Sequence, residues 1–295
     1  MIWSKSSMLS YNQCAKRFFY EYIERRTPEV GFDHLTRGTM FHDTVEHFFA
    51  KLDKKKLLKL LESEVKEDIE DYFRSIIVYN DKIEGLNHLY DNMVISETKR
   101  AMQCYLVKKK KALEYYYPVY SEKEIVNQEK GWRGKIDWIF KTFDEEYAIG
   151  EIKTGKVGDL SEIRKELCFL TLLTEGMNIL PKEPKYIMCY YPKTNDILFE
   201  TPKKVSFNAL SRAYTRAVDG LAQADFPKNI STLCLYCSFA QHCLGDEGKI
   251  FSNNPAELPE TVRPKKKKDK NSPVIDVKEL HNKVMEKKDE ENITT

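Results

Sequence analysis

Between Ile125 and Gly155 the chain stops reading as helix and begins to alternate, and that change of period limits the folds open to it. IVNQEKGWRGKIDWIFKTF and, after a turn at Asp144-Glu145, EYAIGEIKTG each repeat with a period of two, which predicts two adjacent antiparallel strands. In the first, Arg133, Lys135, Asp137 and Ile139 fall on one face and Trp132, Gly134, Ile136, Trp138 and Phe140 on the other. In the second, Tyr147, Ile149, Glu151 and Lys153 share a face and Ile152 turns away. Pairing the strands can set Asp137 beside Glu151 and Lys153, two carboxylates and an ammonium at one place.

The flanking segments have helical spacing. Residues 4–24 predict an amphipathic helix that contains Cys14, with Ser7 or Ser10 as N-cap, and TMFHDTVEHFFAKL a second. Residues 57–115 contain no proline and a single glycine, Gly85, so a helical insertion is expected over about 55–117. LSEIRKELCFLTLLTEG predicts a helix with Asp159 and Glu162 at capping-box spacing, KYIMCYYPKTNDILFET a further strand pair, and VSFNALSRAYTRAVDGLAQA a last long helix. The expected fold is therefore α/β, a sheet flanked by helices, over residues 1–247. Residues 248–295 lose periodicity and become rich in Pro, Lys and Glu, which predicts a flexible charged tail.

The formal net charge is +2, and the nine lysines and seven acids from Pro264 onward account for it, leaving a neutral body. Nucleic acid would have to be met by local clusters such as Lys54 to Lys56 or Lys108 to Lys111. No stretch approaches the roughly 20 apolar residues of a membrane helix, and MIWSKSSMLS lacks the apolar core of a signal peptide, so a cytoplasmic protein is expected. A reducing compartment makes clustered cysteines metal or cluster ligands rather than bridges, and CLYCSFAQHC carries Cys234, Cys237 and Cys243 within ten residues.

Magnesium or manganese takes carboxylate oxygens, and a lysine beside the ion can orient or deprotonate water, an arrangement suited to phosphodiester hydrolysis. A bare Glu-x-Lys is more often a solvated ion pair. Here the flanks matter: Gly134-Lys-Ile-Asp137 before, and Glu151-Ile-Lys153-Thr-Gly155 after. Together they resemble the core of the PD-(D/E)XK nuclease superfamily in its RecB-like branch. That branch carries a histidine on an upstream helix, and Gly38-Thr-Met-Phe-His42 fits. A protease reading of HDTVEH fails, because its histidines miss the H-x-x-E-H spacing by one residue.

The resemblance implies a restriction-endonuclease-like core with a central mixed sheet. It implies His42, Asp137, Glu151 and the Ile152 carbonyl as ligands of Mg2+ or Mn2+, and Lys153 as the catalytic lysine. The branch commonly has Q-x-x-x-Y on the next helix, where this chain has Glu166 and Leu170; glutamate keeps a polar group and Leu170 reads as core. Some members, the AddB-type and CRISPR-associated adaptation nucleases, hold a [4Fe-4S] cluster with one N-terminal and three C-terminal cysteines. The match is Cys14 with Cys234, Cys237 and Cys243, the last three in a segment over about 226–247. Spacing alone suits zinc as well as iron and sulfur. Cys104, Cys168 and Cys189 read as ordinary buried residues.

The resemblance thus implies a DNA exonuclease acting on single-stranded ends, in CRISPR spacer acquisition or DNA repair, with protein partners from either setting. The competing expectation is a non-catalytic nucleic-acid-binding module with a zinc-bound cysteine site.

Overall fold

The computed structural model describes residues 1–27 and 33–245; the charged tail lies outside them. It is a three-layer α/β arrangement on one mixed sheet. The chain opens with a short strand, β1 (Trp3–Ser4), then α1 (Lys5–Gln13), α2 (Ala15–Phe18), a π-helical turn over Phe19–Ile23, and α3 (Asp33–Lys51). Next come α4 (Lys54–Ser63), α5 (Lys66–Ile76), α6 (Leu86–Lys108) and α7 (Ala112–Tyr116), then β2 (Tyr120–Asn127), β3 (Trp132–Lys141) and β4 (Tyr147–Ile152). The rest is α8 (Leu160–Thr174), β5 (Tyr186–Tyr191), β6 (Asp196–Glu200), α9 (Lys204–Ala222) and α10 (Ala240–Leu244).

Sheet order is β1-β3-β4-β5-β6, with β2 also on β3; β1 runs parallel to β3 and β4 to β5, while β2 and β4 are antiparallel to β3 and β6 to β5. One face packs on α3 to α7, burying Phe41, Phe48, Phe73, Tyr90, Trp138 and Phe140. The other packs on α1, α2, α8 and α9 around Met8, Phe18, Trp132, Ile136, Phe169 and Leu173. Among the described residues no helix is long and apolar enough to cross a membrane.

Three local expectations are corrected. The helix expected over 4–24 is broken at Cys14, whose backbone is extended (φ −159°, ψ 105°), and its N-cap is Ser4. Ser4 accepts from the Ser7 amide while the Ser7 hydroxyl accepts from the Ser4 amide, so Ser7 sits inside the capping box rather than at the cap. The region over about 55–117 holds α4 to α7, interrupted at left-handed Glu64 (φ 56°) and again before Gly85 (φ 73°). The first alternating stretch is a hairpin, β2 and β3, turned at Gly131 (φ 65°).

The third correction concerns the faces of β3. Trp132 and Ile136 enter one core, Trp138 and Phe140 the other, and Ile139 returns to the first. The alternation therefore slips by one at Asp137. Opposite it in the β2 register lies Glu122, in a left-handed conformation (φ 52°), so both strands are irregular at the same level, as at a bulge.

Candidate active site

The site forms where two strands part. β2 covers one edge of β3 along its length; β1 pairs with Trp132 and Arg133 on the opposite edge, and β4 pairs there from Trp138 onward. The β3–β4 ladder stops at Trp138 and Gly150, and beyond it the Ile152 amide donates to Asp137 Oδ2 at 2.7 Å. A side chain thus replaces the ladder, leaving Asp137 and Glu151 buried at a fork.

His42, from α3, lies over this fork with Nδ1 3.5 Å from Glu122 Oε1 and 3.7 Å from Asp137 Oδ1. Among the described residues, His42, Glu122 and Asp137 are the set whose ligand atoms lie within 4.8 Å of one another. Glu151 stands beside them: Lys5 and Lys153 both reach its Oε1, Lys153 at 3.2 Å, while Oε2 is buried with no partner. Lys153 also binds Glu166 at 2.6 Å, and Lys5 approaches Glu166 at 3.5 Å. Leu170, one turn on, is wholly buried in core, as its sequence suggested.

The electrostatics follow from this packing. Burial and the neighbouring charge of Glu151 raise the Asp137 carboxyl to about 7. Burial also opposes charge on Glu151, but Lys5 and then Lys153 outweigh it and hold that carboxyl below its ordinary value. The proton of the pair therefore sits on Asp137. Burial works against the charged His42 ring, yet the Glu122 hydrogen bond and the nearby carboxylates raise its pKa. Burial likewise disfavours charge on Lys153, and Glu151 and Glu166 more than offset it, so Lys153 stays an ammonium. Glu122 is held below the ordinary carboxylate range against its burial by His42 and by Lys135, which lies at 2.5 Å.

These residues fit a divalent cation: one imidazole and several carboxylates converge, and Glu151 Oε2 is an acceptor left open in a buried place. A family model described as the PD-(D/E)XK nuclease superfamily matches residues 2–244. The chain belongs to the PD-(D/E)XK nuclease superfamily. A search of curated proteins gives no match. PD-(D/E)XK nucleases use divalent metals, and a His/Glu/Asp group, His42, Glu122 and Asp137, is present at the fork in the sheet.

Two residues of this candidate site escaped sequence reasoning. Glu122 sits on a strand whose alternation gave no hint of its left-handed turn, and Lys5 sits at the start of a helix 146 positions from Glu151. Ile152 is the last ladder residue of β4, opposite Tyr190.

The four cysteines also meet. Cys14, at the break between α1 and α2, lines one small cavity with Cys234, Cys237 and Cys243, together with Arg17, Tyr20 and Lys228. Hydrogen bonds join the two chain regions: the Lys16 amide donates to Pro227 O at 3.1 Å and the Asn229 side-chain Nδ2 to Gln13 O at 2.7 Å. Burial raises the Cys237 and Cys243 thiols, and the nearby Cys14 and Cys234 raise both further. Cys104, Cys168 and Cys189 are buried elsewhere, and burial pushes their thiols up to about 11, 12 and 12.

Proposed function

We propose that the chain is a RecB-like deoxyribonuclease that hydrolyses phosphodiester bonds at single-stranded DNA ends and carries a structural [4Fe-4S] cluster. The observation that carries the reading is the convergence of His42, Glu122 and Asp137, with the unpartnered, buried Oε2 of Glu151 on a carboxylate close enough to act on Asp137 by charge. These four residues would hold Mg2+ or Mn2+, with the Ile152 carbonyl as a further donor. Such an ion polarises a phosphate oxygen and lowers the pKa of bound water.

The chain's own residues do the rest. Asp137 accepts the Ile152 amide and so holds the end of β4 at the fork. His42 reaches the same place from α3 on the opposite layer. Lys153 keeps a positive charge beside the carboxylates, where it stabilises the negative charge that builds on phosphate and attacking water.

Cys14, Cys234, Cys237 and Cys243 would bind the cluster. All four line a common cavity, where a cluster would offer each thiolate its own iron. A single zinc draws all four to about 2.3 Å. The cluster would tie the N-terminal helices to the C-terminal segment, and the setting would be CRISPR spacer acquisition or DNA repair.

The test is cleavage of end-labelled single-stranded DNA with Mn2+ or Mg2+, run beside Lys153→Ala and a chelator. Lys153→Ala should lose roughly a hundredfold or more in kcat with iron content unchanged. Undiminished cleavage by that variant would overturn the assignment and favour the binding-module alternative.

A further inference from the structure

Lys5 stands out because it is a cation where the local structure disfavours one. It is the first residue of α1, whose first turn carries no acid, and a positive charge at a helix N-terminus opposes the dipole by about 0.3–1 kcal/mol. It is nonetheless held firmly. β1 pairs Trp3 with Trp132 and Ser4 with Arg133, the Ser4–Ser7 box starts the helix, and Trp3 stacks on Phe18 at 5.4 Å. The Lys5 side chain is 16% exposed and is aimed at two carboxylates from two other elements, Glu151 of β4 and Glu166 of α8.

Two ammoniums and two carboxylates therefore form a balanced square, in which Glu151 Oε1 takes both lysines and Oε2 none. If Lys153 is to turn toward a reacting phosphate, it must leave Glu151 and Glu166, and a buried carboxylate stripped of its only counter-ion would hold it back. Lys5 removes that restraint.

We propose that Lys5 is a positioning residue of the cleavage site: it holds Glu151 Oε1 in place of Lys153, leaving Oε2 toward the metal and Lys153 free to face the phosphate. This rests on the nuclease reading above. The device uses charge and placement alone.

The experiment compares full-length wild type with Lys5→Met and Lys5→Arg in two measurements. The first is Mn2+ affinity by calorimetry without DNA; the second is kcat and KM on single-stranded DNA, with Tm recorded for each protein. In Lys5→Met, Lys153 still clamps Glu151 but a repelling charge is gone, so Mn2+ should bind about three- to tenfold tighter. Turnover should fall about ten- to a hundredfold while KM stays within about threefold. Lys5→Arg, which keeps the charge, should recover most of both.

Tighter metal binding with slower turnover is a pair of changes that a loosened scaffold would not produce. Unchanged kcat in Lys5→Met overturns the proposal, as does a joint loss of Mn2+ affinity, kcat and Tm. If the wild type cleaves no DNA, the nuclease reading fails on its own, and the Mn2+ titration still decides Lys5: an affinity unchanged by Lys5→Met sinks the role proposed here.

Discussion

Replacing Gly220 by alanine should destabilise this protein even though alanine is the better helix former. Gly220 lies inside α9, where the substitution by propensity alone would add about 1 kcal/mol of stability. A Cβ there would stand 1.6 Å from Tyr11 Oη and 2.4 Å from its Cζ. Tyr11 has little room to yield: its ring is 7% exposed and edge-on to Phe18 at 5.4 Å, and its hydroxyl donates to Asp225 O at 2.8 Å. Moving it loses that hydrogen bond, about 1 kcal/mol, and overpacks the α1–α9 contact by about 1–3 kcal/mol. Less the helix gain, the net loss is roughly 1–3 kcal/mol, a fall in Tm of about 2–12 °C for a domain of this size. Because α1 carries Lys5 at one end and Cys14 at the other, cleavage and iron content should fall with it. The assay is thermal unfolding of wild type and Gly220→Ala, with iron analysis. A variant as stable as wild type, or more so, would refute the claim that close packing of Tyr11 on Gly220 seats α1.

Other consequences are open to direct measurement. Glu122→Gln should weaken Mn2+ binding by about tenfold or more, since it removes a charged donor from the set around His42; unchanged affinity in calorimetry would remove Glu122 from the site. In the metal-free protein, His42 and Asp137 both have raised pKa values, so the folded chain holds protons the unfolded chain releases, and stability is lost as pH climbs through those values. Tm without metal should therefore be lower at about pH 8 than at about pH 6, and Mn2+ should raise it more at the higher pH, where its ligands are deprotonated. The lowered values of Glu122 and Glu151 act only at acid pH, where their stabilisation is lost as the carboxyls protonate. Cys14→Ser should lose iron as fully as a change at Cys237, from about four atoms per chain under anaerobic purification; one zinc and no iron in the wild type would reject the cluster.

Much of the candidate site was legible in the chain where it depends on local order. Asp137, Glu151 and Lys153 stand on strands whose period of two is written in neighbouring residues, and His42 lies on a helix whose apolar spacing through Phe41, Val45 and Phe48 faces the core. Leu170 read as core for the same reason and is core. What the residues alone could not decide depends on contacts between distant segments. Period two placed Trp132 and Trp138 on one face, and they belong to two different cores, because β3 slips at Asp137 opposite a left-handed Glu122. That slip follows from how three strands share the edges of β3, and no window of sequence contains it. Lys5 joins the site through a strand of only two residues, and Cys14 meets the C-terminal cysteines because α1 breaks where α9 and the segment after it pack. Short-range periodicity set the elements, and the family resemblance pointed to most of the candidate donors; burial at the fork then determined which carboxylate keeps its proton, which is paired with lysine, and which oxygen is left open.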